Sequence, residues 1–483
     1  QALGITAKAG EEIVVYVGTE GNSMPEIAFT QHYVESSAFI KTQRLNKGKN
    51  VIRVPEITNM DVEKGGNVYI RYTGNSASDK DIKIRVSGGY KIPHLNVHGL
   101  IENDEAKAKE AIKEYILDLQ DYVDGIKDNY PKFLESRSNN NYRYDEKTSV
   151  LNTTDIESQN ITLTLPATAV LSGINDNLTS IDEKADRVYN SLLAFEQLMD
   201  IKFSERGLEE DEQPTSRINI KYQRMFIGAF MYASNHHVGI EYDSSAPLMK
   251  GHPFEVNEDG TVKEASGELF GWGIAHEIGH VTEITKMTYG EVTNNIIANL
   301  AQTFDDKTKS RLENGDTYEK MYEKVTSGTV GMTSDLGMGL GMFWQLHLAY
   351  DNDYTAKMLQ NKNTFYARLS KRYRQATAEE NSVDKNQLLV RFASDAAGKD
   401  LTDFFTAWGI VPDEATKNYL QSKGYDKEER KIQYLNDEAR RKVLNNVGSI
   451  AESTKVTASY NNVTKGEIAS TKEVTLNLGI NDD

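Results

Sequence analysis

The 483-residue chain contains no cysteine. That excludes disulfides, thiolate metal sites and cysteine nucleophiles, and it leans towards export, since a cytosolic enzyme of this size usually keeps a few thiols. Long apolar runs are also missing: no stretch approaches the ~18 residues of a membrane-spanning helix. Positive charge is in short supply, with 55 Lys and Arg against 72 Asp and Glu and a net charge of −17. A field of that sign repels phosphate backbones and anionic membranes, so no nucleic-acid partner is expected. Histidine is sparse, nine in all, which makes any patterned pair of histidines informative. The first residues, QALGITAKAG, lack the basic start, apolar core and cleavage site of a signal peptide. An exported form is therefore expected to carry its signal outside this chain.

What remains reads as an ordinary globular protein, too long for one hydrophobic core. Segments such as EEIVVYVGTE, NVIRVPEI, GNVYIRYTG and DIKIRVSGG are short, rich in Val, Ile and Tyr, and separated by Gly, Asn and Asp. That is the pattern of a small β-sandwich. From Glu102 to about Glu135, and again from about Ser180 to Lys202, apolar residues recur at helical intervals. NITLTLPATAVLSGI reads as a strand followed by a small-residue turn, and Ile218 to Tyr242 as strands and loops. Further helices are expected over TYEKMYEKV, MFWQLHLAY, FYARLSKRYRQ and DLTDFFTAW, with a return to β structure after about Asn445. The expected class is α+β: a β-sandwich over residues 1–95, a mainly helical domain over 96–444, and a small C-terminal β element over 445–483. Because its strands can form their own core, the sandwich is expected to be separable at about His98.

Residues 276 to 280 read His-Glu-Ile-Gly-His. Positions four apart on a helix share a face, so His276 and His280 can aim two imidazoles at one ion. Glu277 is turned about 100° from His276 and can lean over the ion without binding it. There it would take a proton from the attacking water, the role of general base in metal-assisted hydrolysis. A solvated helix face is the bland alternative. It is disfavoured because Gly273, Ile274, Ala275, Ile278, Gly279, Val281 and Ile284 make the helix apolar or small around the motif, and buried imidazoles need partners.

The third ligand follows by elimination. Glu283 and Lys286 occupy the positions where the extended three-histidine motif would need Gly and His. Glu283, three residues after His280 on the same helix, has a poor reach. Glu291 opens the next helical pattern after a turn at Tyr289 and Gly290, where two antiparallel helices would return it to the first. His276, His280 and Glu291 then leave a fourth position for water, the ligand set of one catalytic Zn(2+) per chain. Other features are read as structural. His347 lies among Phe343, Trp344 and Leu348 as a satisfied core histidine. The GMGLG run at 337–341 is no dinucleotide loop, because no strand precedes it.

The runs GWGIAHEIGH and TYGEVTNN, with ASNHHVGI upstream and MFWQLHLAYDNDY and RFASDAAGKDLTDFFTAWGI downstream, resemble the enhancin-like gluzincin metallopeptidases. The likeness covers most of residues 100 to 440. It implies a secreted or cell-surface bacterial zinc endopeptidase, acting on O-glycosylated, mucin-like proteins in host colonisation and cleaving beside a glycosylated Ser or Thr. A monomer is expected. On the same resemblance Trp272, Asn235, His237, Asn294 and Asn295 are candidates for contacts with a sugar or peptide. His237 and Tyr289 are candidates for the oxyanion donor. A general zinc endopeptidase without a glycan requirement is the alternative, and an inactive glycan-binding adhesin is the alternative from another class. The intact His276, Glu277, His280 and Glu291 weigh against the adhesin.

Overall fold

The computed structural model describes residues 1–31, 40–57, 64–73, 82–134, 144–225, 229–234, 237–258, 262–263, 269–305, 310–351, 362–438, 455–464 and 467–477. The chain forms two compact units, residues 1–197 with 214–253 and residues 198–213 with 254–483.

The first unit opens with strands β1 (Ala2–Ala7), β2 (Glu12–Gly18), β3 (Glu26–Thr30), β4 (Ile40–Arg44), β5 (Gly48–Arg53), β6 (Gly66–Arg71), β7 (Lys83–Ser87) and β8 (Tyr90–Lys91). They pair as a β4-β3-β6-β1-β8 sheet and a β5-β2-β7 sheet. The alternation in the sequence has its expected consequence. Ile13, Val15 and Val17 of β2 turn inward with Ile52 of β5 and pack on Phe29, Ile27 and Val68 from the larger sheet. This is the sandwich read from the sequence.

A second layer follows. Strands β9 (His94–Asn96), β10 (Thr154–Glu157), β11 (Ile161–Leu165), β12 (Ile218–Tyr222), β13 (Met231–Ser234) and β14 (His237–Ile240) form a mixed sheet in the order β13-β14-β12-β11-β10-β9. Helices α1 (Glu105–Leu134), α2 (Ala167–Asn175) and the start of α3 (Ile181–Arg206) belong with it. The PATAVLSGI stretch, expected to be a turn, is α2. Pro166 sets its entry with φ −61°, a conformation suited to a helix start, and Ala167, Val170, Leu171 and Ile174 are buried.

The sandwich is tied to this sheet by a buried polar seam that periodicity does not reveal. The Tyr69 hydroxyl donates to Asp155 Oδ1 at 2.8 Å and the Asn67 amide to Thr153 Oγ1 at 2.9 Å. Ala2 N donates to Glu157 Oε1 at 3.0 Å and Lys221 Nζ donates to Thr30 Oγ1 at 3.1 Å; within the mixed sheet itself, His94 Nε2 lies 2.9 Å from Glu157 Oε2. Asp155 and Glu157 are fully buried, and burial pushes the Asp155 carboxyl up to about 6. At roughly 1 kcal/mol each, the four contacts between sandwich and sheet contribute about 4 kcal/mol, a large part of the ordinary stability of a folded domain. Separation at about His98 therefore carries a cost in stability. A chain starting at His98 should melt well below the full chain or fail to stay soluble. An unchanged thermal or urea melt would show that the seam contributes nothing.

The second unit is mainly helical: α4 (Gly271–Val281), α5 (Asn295–Asp305), α6 (Thr317–Ser327), α7 (Leu336–Tyr350), α8 (Phe365–Arg374), α9 (Lys385–Ala397), α10 (Thr402–Ala407) and α11 (Glu414–Lys423). α7 is apolar on nearly every side because it runs through the middle of the unit, with Gly339 to Ala349 buried and α5, α6 and α8 packed on it. The GMGLG run lies at its start, and a Cβ on Gly341 would meet Met321 Sδ of α6 at 2.4 Å. Its glycines serve close helix packing. His347 is buried, bonded to Asp351 and stacked on Tyr366. The chain also forms a hairpin, β15 (Lys455–Thr464) with β16 (Glu467–Asn477). No helix among the described residues is long and apolar enough to cross a membrane.

Candidate metal centre

α4 begins where two consecutive left-handed residues, Phe270 (φ +62°) and Gly271 (φ +67°), turn the chain into the helix. Ile274, Ala275 and Ile278 bury one face. That leaves His276 and His280 on an adjoining, partly exposed face, with ring centroids 4.8 Å apart and ring planes at 87°. The segment that follows returns to α4 at very short range. A Cβ on Gly279 would lie 2.2 Å from the Asn294 carbonyl oxygen, so the Gly of HEIGH is what allows residues 291–295 to reach the imidazoles.

Glu291 was expected to open a helix. It stands instead in the turn ahead of α5, with φ +56°, a left-handed conformation that costs a non-glycine residue roughly 1–3 kcal/mol. Held there, it points its carboxylate back at α4. Glu291 Oε2 lies 3.2 Å from His276 Nε2, and Oε1 lies 3.2 Å from His280 Nε2. The turn is fixed by Val292 N and Thr293 N donating to the Tyr289 carbonyl, and by Asn295 Nδ2 donating to the Glu291 carbonyl at 2.8 Å.

The tautomers are set from behind. His276 Nδ1 lies 2.7 Å from Asn295 Oδ1 and 3.0 Å from the Asn294 amide nitrogen; the shorter contact, to an acceptor, favours the tautomer that carries its proton on Nδ1 and turns the Nε2 lone pair to Glu291. Glu283 Oε2 lies 3.5 Å from His280 Nδ1, while Glu283 Oε1 accepts from the Thr293 hydroxyl at 3.1 Å. Burial alone would raise the Glu283 carboxyl, but the bonds from His280 and Thr293 carry it below the usual range. The same hydrogen bond to Glu283 pushes the His280 imidazole up against the opposing effect of burial. Arg206, buried beside Glu205 at the end of α3, adds to that lowering of the Glu283 carboxyl through its positive charge.

This donor set fits a zinc ion. Both Nε2 atoms stand 3.2 Å from a Glu291 carboxylate oxygen. Two donors of one tetrahedral zinc, each ~2.1 Å from the ion, stand about 3.4 Å apart. Glu277 is a rival ligand, since its carboxylate and the two imidazoles lie within 4.8 Å of one another. Its oxygen is 4.0 Å from His276 Nε2, against 3.2 Å for each of the two Glu291 contacts. Glu277 is only 8% exposed. Burial pushes its carboxyl up, offset in part by the two histidines.

The other sequence candidates fall differently. Asn294 is fully buried, with its amide nitrogen 2.9 Å from His280 Nε2, and Asn295 orients His276. Both side chains are engaged with the imidazoles. Trp272 is partly exposed, but the Arg311 guanidinium lies 4.4 Å over its ring and covers one face of the plate. The Tyr289 hydroxyl donates to Asn386 Oδ1 at 2.9 Å, so its proton is held in a contact with α9. His237 lies on β14 in the first unit, buried and 2.8 Å from the Tyr232 hydroxyl. Asn235 falls outside the described residues. Sequence reading passed over Glu283 and Thr293 as orienting groups. The only signal was the spacing of Glu283 from His280, which was weighed for ligation alone.

Residues 136–409, more than half of the chain, match the family model of peptidase M60, enhancin and enhancin-like. No curated protein matches the chain. Among solved structures, the M60 catalytic domain of Clostridium perfringens ZmpB with its CBM51-1 and CBM51-2 domains is 25% identical, with a TM-score of 0.69 over 95% of this chain and 43% of that one. The chain thus spans less than half the length of that relative. The M60 catalytic domain of C. perfringens ZmpC, solved in complex with the sialyl T antigen, is 23% identical, with a TM-score of 0.69 over 99% of this chain and 83% of that one. A metallopeptidase from Bacteroides thetaiotaomicron, at 18% identity and a TM-score of 0.60, covers 90% of this chain and 68% of its own. The last two likenesses carry the fold.

Proposed function

The chain belongs to the enhancin and enhancin-like M60 peptidases, and from that premise we propose that it is a secreted or cell-surface zinc endopeptidase cleaving O-glycosylated, mucin-like proteins beside a glycosylated Ser or Thr. The observation that carries the peptidase chemistry is the convergence of His276, His280 and Glu291 at 3.2 Å beside a buried carboxylate, Glu277. Zinc held by those three residues would supply a Lewis acid for the scissile carbonyl and the attacking water. Glu277 then takes a proton from the water oxygen and returns it to the leaving amine nitrogen. Its raised affinity for protons, a consequence of burial, suits both halves of that transfer. Asn295 and Glu283 keep the imidazoles aimed and hold their Nδ1 protons in place throughout.

The glycan part of the reading draws support from the family and from the ZmpC domain's complex with the sialyl T antigen. Its test compares an O-glycosylated peptide with the bare peptide of the same sequence. The glycopeptide is expected to have a kcat/KM about 10⁴-fold higher, the scale on which a site built for polar groups rejects a substrate lacking them. Equal values would leave a general zinc endopeptidase. Retention of glycopeptide without cleavage would point to an adhesin.

A further inference from the structure

One face of the sandwich is at odds with the charge of the whole. The inward residues of the β5-β2-β7 sheet are apolar, and the register of the three strands fixes what stands on the other side. Tyr16 of β2 lies directly between Lys49 of β5 and Arg85 of β7, and Arg53 and Lys83 lie further along the same face. All four cations are exposed, Tyr16 is 43% exposed and the neighbouring Val51 is 54% exposed. Glu12, opposite Arg53, is the one acidic residue in these paired positions. Among the described residues none of the four cations has a carboxylate within ion-pair distance, although the chain as a whole carries −17. A protein with acid to spare has left this patch uncompensated.

We propose that this face binds an acidic carbohydrate chain. Cross-strand neighbours stand about 4.8 Å apart and alternate residues along a strand about 6.7 Å. Cations therefore flank the Tyr16 ring on both sides at the distance of a sugar's substituents. A sugar ring can lie on the half-exposed aromatic surface while its carboxylates or sulfates meet Lys49 and Arg85. Charge complementarity restricts the partner. A nucleic acid or an anionic bilayer presents dense charge over distances well beyond the Debye length of about 8 Å, and would meet the acidic remainder of the protein. A sugar polymer with one charge per ring, spaced further apart than the phosphates of a duplex, can lay a few rings on the patch and leave the rest in solvent. The inference holds whether or not hydrolysis requires a glycan at the metal centre.

The experiment measures binding of the full chain to polysialic acid, a carboxylated sugar polymer with no peptide bond to cleave. Neutral dextran and phosphatidylserine-containing vesicles serve as controls. Polysialic acid should bind, more weakly at 200 mM than at 50 mM salt, and dextran should not. The double variant Lys49→Glu with Arg85→Glu should weaken binding at least about tenfold, and Tyr16→Ala should weaken it several-fold. These side chains are exposed, so melting temperatures should be unchanged, and cleavage of a short glycopeptide should be unchanged as well. The proposal fails if the unmodified chain does not bind polysialic acid or if the double variant binds as tightly. It fails equally if vesicles bind as strongly as the polymer, which would indicate a membrane surface. Loss of glycopeptide cleavage in the double variant would also overturn it as a separate site.

Discussion

Glu277→Gln should keep its zinc and lose its catalysis. The amide has the size and shape of the carboxylate, so the packing around a side chain that is only 8% exposed is preserved. What disappears is the basic oxygen beside His276 and His280. General acid–base catalysis by a placed side chain contributes about 10²–10⁴-fold, and kcat should fall on that scale with KM little changed. At 1.36 kcal/mol per tenfold, that is roughly 3–5 kcal/mol of lost transition-state stabilisation. Removing a buried charge whose pKa burial already raises should leave the melting temperature unchanged or slightly higher. Metal analysis of the purified variant decides the role. A full equivalent of zinc with collapsed turnover supports the base, whereas an empty site would make Glu277 a ligand.

Glu291→Ala should do the opposite, losing metal first and activity in consequence. The side chain is 53% exposed and contributes little packing, so the fold should survive its truncation. Both carboxylate oxygens vanish from their positions 3.2 Å from the two Nε2 atoms. Outer-shell changes at metal sites typically cost 10–100-fold in affinity, and removal of an inner ligand should exceed the upper end of that range. Zinc affinity measured by chelator competition should therefore drop by more than about a hundredfold, with hydrolysis at background under limiting metal. If Glu291→Ala held zinc as tightly as the unmodified chain, the third ligand would have to be sought at Glu283, already bonded to His280 and Thr293.

The contrast between these two carboxylates marks the boundary between local and long-range information. The placement of His276, Glu277 and His280 follows from 3.6 residues per turn, because a helix carries its own coordinates. The sandwich strands were legible for the same reason. An alternation of period two commits Ile13, Val15 and Val17 to one side whatever they meet there. The α7 helix and the core role of His347 could likewise be read from apolar surroundings.

Tertiary structure decided the rest. Glu291 was expected as a ligand from its place after a turn, and its position beside the imidazoles depends on a left-handed backbone ahead of α5 and on the approach of Asn294 to Gly279. Neither leaves a periodic trace. Asn294 and Asn295 were expected as substrate contacts because they stand beside Glu291 in the sequence. Only the folded chain shows which imidazole nitrogens they meet. The seam that joins Tyr69 to Asp155 and Asn67 to Thr153 spans 86 residues in each case. Patterning tells a residue which side to bury, and it cannot tell a buried hydroxyl or carboxylate which distant group will satisfy it. That pairing is settled only when the two layers close over it and water is excluded.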